Sequence, residues 1–276
     1  MSTVKRVPVR SPVVASFLEG YCGSVVCGDC VSVLSEFPDC CVDLVVTSPP
    51  YDKLRKYGGF ADFDFEGLAA QLFRVVRGGR VVVWVCGDAT IDGSETGTSF
   101  RQALHFMSIG FNLHDTMIFR KRNPLPQLKR MRYMSEFEFM FVLSKGRVVV
   151  CNYLTVPCKH AGLENIRTKN YSAGDQSERV TKLTVGKEKV VGNVWTYNVG
   201  TPSSEDKIAF KHPAVFPENL ARDHILTWTN PGDLVLDPMC GSGTTCKMAD
   251  RNGRRFIGVD INAEYVAIAK TRLGLE

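Results

Sequence analysis

Thr47-Ser48-Pro49-Pro50-Tyr51 puts a hydroxyl, a rigid run of carbonyls and an aromatic ring into five consecutive residues. Neither proline carries an amide donor, so this surface accepts hydrogen bonds and suits a planar group bearing an amine. The apolar run before it, Val42-Asp43-Leu44-Val45-Val46, has the length and branched content of a buried strand. Two consecutive prolines neither continue a ladder nor enter a helix interior, so the chain turns at the carboxyl end of that strand. In an open α/β sheet that is the end where ligands bind. Taken alone, the same five residues also read as a proline-stiffened loop with a buried tyrosine.

A second signal lies near the other end. Leu234-Val235-Leu236-Asp237 runs into Pro238-Met239-Cys240-Gly241-Ser242-Gly243-Thr244-Thr245, a short apolar strand followed by a glycine-containing turn and a helix start. Phe256-Ile257-Gly258-Val259-Asp260 then supplies a further strand ending on a carboxylate. Strand, glycine turn, helix and acid-tipped strand make half of a nucleotide-binding α/β unit, with the acid placed for ribose hydroxyls.

The elements that must position these residues alternate in type. Ser24 to Asp29 reads as a strand ending in a turn, followed by a helix through Leu34 and Phe37 that Pro38-Asp39 breaks. A helix from Glu66 to Arg77 and the pair Gly78-Gly79 lead into a buried strand, Arg80 to Cys86. This order implies right-handed parallel crossovers. A helix near Ser99 to Ile109 precedes strands at Asp115 to Phe119 and Phe137 to Leu143. Between those strands stand Arg120, Lys121, Arg122, Lys129, Arg130 and Arg132, with Asn123, Gln127 and Tyr133 among them. A basic cluster that interrupts an apolar sheet is expected to contact phosphates. The segment from Asp52 to Phe65 reads as a polar loop over a site.

The 276 residues are 44% apolar with a net charge of +5, enough for a full core and compatible with a nucleic-acid partner without requiring one. No apolar run is long enough to span a membrane, and the amino terminus lacks the apolar segment of a signal peptide. The ten cysteines are expected as reduced, mostly buried thiols in a cytoplasmic protein. Cys27 and Cys30 form a lone C-x-x-C without a second pair at ligand spacing, so no metal site is expected. The expected organisation is a flexible arm over 1–20, one half-domain over 21–147, an insertion over 148–205 and a second half-domain over 206–276.

The Thr47–Tyr51 motif, Lys211-His212-Pro213 with Phe216-Pro217, and Asp237-Pro238-x-x-Gly241-Ser242-Gly243-Thr244 with Asp260 resemble the S-adenosylmethionine-dependent DNA amino-methyltransferases. Their order, catalytic motif first and cofactor motif last, is similar to the permuted β group of that family. Gly28-Asp29-Cys30 and the stretch from Glu138 to Lys145 match the group's habits, and the resemblance covers residues 24 to 145 and 205 to 273. It implies a doubly wound, Rossmann-like α/β methyltransferase sheet, mostly parallel with an antiparallel hairpin strand, circularly permuted, with a small inserted recognition region.

Carried over residue by residue, the resemblance makes Ser48, Pro49, Pro50 and Tyr51 the catalytic loop. Thr47, Asp237, Pro238, Cys240, Gly241, Ser242, Gly243 and Thr244 would hold the methionine part of S-adenosylmethionine, with Lys211, His212, Pro213 and Phe216 closing over it. Asp260 would bind the ribose hydroxyls, Ile261 would pack on the adenine and Asp29 would accept from the adenine amine. Two departures stand out: Phe137 precedes Glu138 where the family often has histidine, and Met239-Cys240 replaces a commoner aromatic-containing pair.

The resemblance implies site-specific methylation of double-stranded DNA, at the N4 amine of a flipped-out cytosine because serine occupies position 48, with the N6 amine of adenine left open. It implies a prokaryotic or phage-encoded, nucleoid-associated protein, and leaves a homodimer and a cognate restriction enzyme as open partners. Other classes fit less well. A dinucleotide G-x-G-x-x-G would need glycine where Cys246 stands, and a P-loop needs a Gly-Lys-Ser/Thr that is missing. RNA and protein-glutamine methyltransferases typically carry asparagine before Pro-Pro-Tyr and the unpermuted order. The intact motifs argue against a catalytically idle DNA-binding relative.

Overall fold

The computed structural model describes residues 12–51, 63–124, 131–167 and 181–275. Lys129, Arg130 and Gln127 of the basic cluster, the first eleven residues, and most of the loop expected after Tyr51 lie outside the described residues.

The chain forms α1 Pro12–Tyr21, β1 Ser24–Cys27, α2 Cys30–Ser35, β2 Val42–Thr47, α3 Phe65–Val75 and β3 Val76–Cys86. It continues through a short hairpin, β4 Thr90–Ile91 and β5 Ser94–Glu95, then α4 Thr98–Ser108, β6 Asn112–Lys121 and β7 Phe137–Ser144. Strands β8 Thr155–Pro157, β9 Glu164–Arg167, β10 Thr181–Thr184 and β11 Glu188–Val190 pair as two antiparallel ribbons. The last stretch holds β12 Val194–Tyr197, α5 Glu218–Trp228, β13 Leu234–Asp237, α6 Thr244–Arg251, β14 Arg255–Asp260 and α7 Ala263–Leu273.

Eight strands form one sheet in the order β1-β14-β13-β2-β3-β7-β6-β12. Every neighbouring pair is parallel except β3 with β7 and β7 with β6, so β7 alone runs against the rest. This is the expected mostly parallel, doubly wound sheet with its antiparallel hairpin strand. β13 lies between β14 and β2, and so the strand from the end of the sequence sits beside the strand from its beginning. The crevice where a doubly wound sheet changes direction therefore opens at the carboxyl ends of β2 and β13.

Local sequence accounts for most of these elements. Val42, Leu44, Val45 and Val46 are fully buried, as a strand covered by helices on both faces requires. Asp43 is buried in the same strand because its carboxylate is used up: Oδ1 meets Arg77 at 2.7 Å and Oδ2 accepts the Leu234 amide at 2.8 Å. Helix α3 is capped by Asp64, which accepts from the Gly67 amide at 2.8 Å, and buries Leu68, Ala69, Leu72 and Val75 on one face. Trp84 is wholly buried yet satisfied, its indole N–H donating to Gln102 Oε1 at 2.9 Å.

Three expectations about extent are corrected. Residues 12–21 are a helix rather than an arm: Pro12 opens it, Val14 and Tyr21 pack against the core, and the Tyr21 ring lies 5.1 Å from Phe37. β3 begins at Val76, ahead of the Gly78-Gly79 pair; Gly79 has φ +79°, and a Cβ there would stand 2.8 Å from Val149, so the position needs glycine for both conformation and space. The second compact unit is Tyr153–Gly192, shorter than the 148–205 insertion expected, because β12 returns to the main sheet beside β6. All ten cysteines are free thiols, and among the described residues no helix is long and apolar enough to cross a membrane.

His224 shows what anchors β12. Its ring lies 4.7 Å from the Trp195 ring, Nδ1 accepts from Trp228 Nε1 at 3.3 Å, and Nε2 sits 3.2 Å from the Met140 sulfur. Burial drives its pKa down to about 3, so it stays neutral. Unfolded histidine titrates near 6.5, so the folded state fails to gain a proton that the unfolded state binds as pH falls below that value. The stability advantage of wild type over His224→Gln is therefore expected to shrink by about 2 kcal/mol between pH 7 and pH 5. Denaturant unfolding of both proteins at the two pH values measures it; an unchanged difference would contradict a neutral, buried ring.

Candidate active site

The carboxyl ends of β2 and β13 are joined by one buried hydrogen bond, Thr47 Oγ1 to Asp237 Oδ1 at 2.8 Å, across 190 positions of sequence. Above it lies a cleft of about 1640 Å³. Ser48, Pro49, Pro50 and Tyr51 line it, as do Asp237, Pro238, Cys240, Gly241, Ser242 and Thr244 from the opposite loop. Asp29, Asp260 and Ile261 line its floor and wall, and His212, Pro213 and Phe216 reach it from the segment before α5. Three of the residues expected for catalysis or the cofactor do not line it. Thr47 is buried beneath it, Gly243 sits in the turn at the start of α6, and Lys211 is exposed outside it.

The glycine turn is fixed from several sides. Gly241 has φ +51°, and a Cβ there would stand 2.8 Å from His212 Nε2, so this position needs glycine for both conformation and space. Its amide donates to Asp260 Oδ2 at 2.8 Å, while Asp260 Oδ1 accepts from the Asn262 amide at 2.9 Å. Burial raises the pKa of Asp260 against those two hydrogen bonds. Burial also lifts Asp237 to about 6, with Thr47, Thr245 and the Met239 amide pulling the other way and Asp260 adding to the rise. His212 packs edge-on against Tyr265 with ring centres 4.3 Å apart, which seats the 212–216 segment over the turn. Asp29 caps α2, Oδ1 accepting from the Ser32 amide and hydroxyl at 2.8 Å each.

On the other side, the Tyr51 hydroxyl lies 2.8 Å from Ser48 Oγ, 3.0 Å from Glu138 Oε2 and 3.2 Å from the Val85 carbonyl. Burial, and then the Glu138 charge, push its pKa well above the ordinary phenol value. Glu138 Oε1 is 2.9 Å from Lys121 Nζ. The basic cluster thus divides. Lys121 and Arg132 both line the cleft, Arg132 also meeting Glu95 of the same lining at 3.6 Å, whereas Arg120 meets Glu136 at 3.4 Å on the surface. Arg122 is exposed, its backbone amide donating to the Tyr197 carbonyl at 2.9 Å.

Two features were not singled out from sequence. Glu138 stood in a matching stretch and beside a departure at Phe137, with no role of its own; the signal was an acid near the start of the apolar strand Phe137–Ser144. The other is a buried ionic cluster under the glycine turn. Arg272, its side chain fully buried, donates to the Ser242 carbonyl at 2.6 Å, Thr244 Oγ1 at 3.0 Å, Glu218 Oε1 at 2.8 Å and Asp206 Oδ2 at 3.0 Å. Lys247 pairs with Glu218 at 2.8 Å and also with Asp206. Burial raises both carboxyl groups, but the hydrogen bonds from these cations outweigh it and leave each below its usual value.

Comparison with known proteins adds the following. Residues 42–271 match the family model described as DNA methylase. The orphan methyltransferase M.BamHII of Bacillus amyloliquefaciens is 49% identical over 239 residues, 85% of this chain and 89% of that protein. The type II methyltransferase M.BglII of Bacillus subtilis is 29% identical over 92% of this chain and 70% of its own length. Among solved structures, the cytosine-N4-specific PvuII DNA methyltransferase superposes with a TM-score of 0.67 at 21% identity, covering 90% of this chain and 85% of that one. The M1.HpyAVI–SAM complex gives 0.60 at 22% identity, covering 91% and 99%. These two structural likenesses concern the fold.

Proposed function

The chain belongs to the DNA methylase family, and from that premise we propose that it transfers the methyl group of S-adenosylmethionine to the exocyclic N4 amine of a cytosine flipped out of duplex DNA. One observation carries the reading: the Ser48 loop and the Asp237 turn share one cleft and are fastened together by the Thr47–Asp237 hydrogen bond.

The residues fit the methyl donor. Gly241 leaves a cradle that a Cβ would close against His212. Two carboxylates, the buried Asp237 and the half-buried Asp260, face the same cleft, and the donor brings an ammonium and ribose hydroxyls to meet them. Asp237 and the 240–244 turn hold its methionine end, Asp260 its ribose, Ile261 and Asp29 its adenine, and the 212–216 segment covers it. When bound, S-adenosylmethionine supplies an electrophilic methyl group on a sulfonium sulfur.

The chain's own residues do the rest. A nucleobase amine is a poor nucleophile because its lone pair is delocalised into the ring. Acceptors at Ser48 Oγ and the Pro49 carbonyl draw on its hydrogens and favour a more tetrahedral nitrogen. Transfer is then direct and in line, with positioning and fixed dipoles supplying most of the gain and no covalent enzyme intermediate. A paired amine cannot reach the cleft, so the base is extruded and stacks on Tyr51. Serine at position 48 supports cytosine. Arg120, Arg122 and Arg132 meet DNA phosphates; exposed ion pairs such as those with Glu136 and Glu95 are worth under about 1 kcal/mol and yield readily. The Tyr153–Gly192 unit reads the target sequence.

Asp237 makes donor binding pH-dependent. Its carboxyl group titrates at about 6 in the free protein, so it is ionised above that pH and loses its attraction for the ammonium below it. The Kd for S-adenosylmethionine is expected to rise about tenfold per pH unit below 6, and Asp237→Asn to bind weakly without that dependence. Titration calorimetry from pH 5 to 8 checks it; a flat wild-type profile would remove Asp237 from the methionine end. The activity itself is tested by incubating the protein with tritium-methyl donor and plasmid DNA. Label in the DNA with wild type and none with Asp237→Ala is expected; unlabelled DNA with wild type would contradict the reading.

A further inference from the structure

Proton counting around Tyr51 decides what Ser48 can do. A phenol has one hydrogen to give, while the three atoms around it are a hydroxyl at 2.8 Å, a carboxylate at 3.0 Å and a carbonyl at 3.2 Å. The carboxylate and the carbonyl can only accept, and the charged, nearer one is the stronger acceptor. Tyr51 therefore donates to Glu138, and Ser48 donates to Tyr51. With its hydrogen committed, Ser48 Oγ presents only lone pairs to the cleft.

Glu138 is itself held. Lys121 Nζ takes Oε1 at 2.9 Å, and the two side chains keep 19% and 20% of their exposure. Gly87 borders this assembly: a Cβ there would rest in ordinary contact with the Tyr51 ring and the Glu138 side chain, at 3.6 and 3.7 Å. Lys121, Glu138, Tyr51 and Ser48 thus form one continuous chain from the wall of the cleft to the catalytic loop.

We propose that Glu138, anchored by Lys121, is the positioning residue that acts through Tyr51 to fix Ser48 as an acceptor for the target amine and to take up the proton that the amine gives off. This rests on the reading of the cleft as a methyl-transfer site. As the nitrogen lone pair forms the bond to the methyl carbon, the carbon–sulfur bond breaks and its electrons stay on sulfur. The nitrogen, now cationic, passes a hydrogen to Ser48 Oγ. Ser48 passes its own to Tyr51, and Tyr51 passes its own to Glu138. The product amine is neutral, both hydroxyls are restored, and the carboxylate has become a carboxylic acid that releases its proton to water at the open side of the cleft. The neighbouring ammonium does not prevent this, because a cationic nitrogen on an aminopyrimidine is a far stronger acid than a carboxylic acid.

Single-turnover methylation of duplex DNA by wild type, Glu138→Gln, Glu138→Asp, Tyr51→Phe and the Glu138→Gln/Tyr51→Phe pair tests the proposal. Glutamine keeps the size and an acceptor for Tyr51 but takes up no proton. The rate is expected to fall about 10²-fold in Glu138→Gln, to recover in part in Glu138→Asp, and to fall no further in the double variant than in the worse single one. Donor affinity by calorimetry and base extrusion by fluorescence of a cytosine analogue are expected to stay at wild-type values, which a merely structural loss would not allow. An equally active Glu138→Gln, or losses that multiply in the double variant, would overturn the relay while leaving the methyl-transfer reading intact. A wild type that methylates no DNA would overturn both.

Discussion

Ser48→Ala is expected to slow methyl transfer by about 10²–10³-fold, the usual cost of one preorganised polar group at a developing charge, while S-adenosylmethionine binds as before. The separation follows from where the hydroxyl sits. The loop's course is set by Pro49 and Pro50 and by the buried Thr47–Asp237 bond, none of which needs the serine oxygen. Its partner is Tyr51 Oη, on the side of the cleft away from the glycine turn, so the Asp237 and Asp260 carboxylates keep their geometry in the variant. Alanine leaves the amine without its acceptor and Tyr51 without its donor. Rapid-quench measurement of one turnover, with calorimetry for the donor, reads the two effects separately. A variant that transfers at the wild-type rate would assign the amine to other groups; one that also loses the donor would mean that the loop has collapsed.

Arg272→Met is expected to carry the largest effect on stability. The guanidinium, fully buried, serves two carboxylates and three oxygens of the glycine turn at once, from the last turn of α7. Methionine fills most of the volume but leaves Asp206 and Glu218 with Lys247 as their remaining cation in this cluster. Breaking a buried pair by removing one partner costs about 3–5 kcal/mol, since the charge left behind is desolvated and uncompensated. For a domain of this size that lowers the melting temperature by roughly 10 °C. Arg272→Lys does not restore it, because one ammonium cannot reach the directions that the planar fork serves. The donor is expected to bind more weakly as well, since the Ser242 carbonyl and the Thr244 hydroxyl lose their tether. Calorimetric melts of the three proteins decide it; a melting temperature within a degree or two of wild type would show that the cluster contributes little.

What could be read in the sequence was local. Val42–Val46 and Leu234–Leu236 announce buried strands by unbroken branched residues, and the prolines and glycines after them announce turns with little room for other conformations. Both halves of the cleft follow from those runs together with the topology rule that places ligands at strand ends. What could not be read was polar and distant. Arg272 near the end of a helix looks like an ordinary charge complementing the helix dipole, and nothing nearby shows that residues 204–206 and 218 will fold over it. Lys121 sits in a row with Arg120 and Arg122, and only the register of β6 against β7 turns it toward Glu138 while its neighbours face solvent. β12 is four residues in a stretch without periodicity, and it joins the sheet because Trp195 finds His224, a contact that no local pattern encodes. Helix α1 was hidden by a basic, proline-containing lead-in that resembles a tail.

The most direct test of the account is chemical identification of the product. Unmodified duplex DNA is incubated with the protein and S-adenosylmethionine, digested to nucleosides and analysed by mass spectrometry against standards. N4-methyldeoxycytidine, present with wild type and lost with Ser48→Ala, is the predicted result. N6-methyldeoxyadenosine, 5-methyldeoxycytidine or no methylated nucleoside would contradict it.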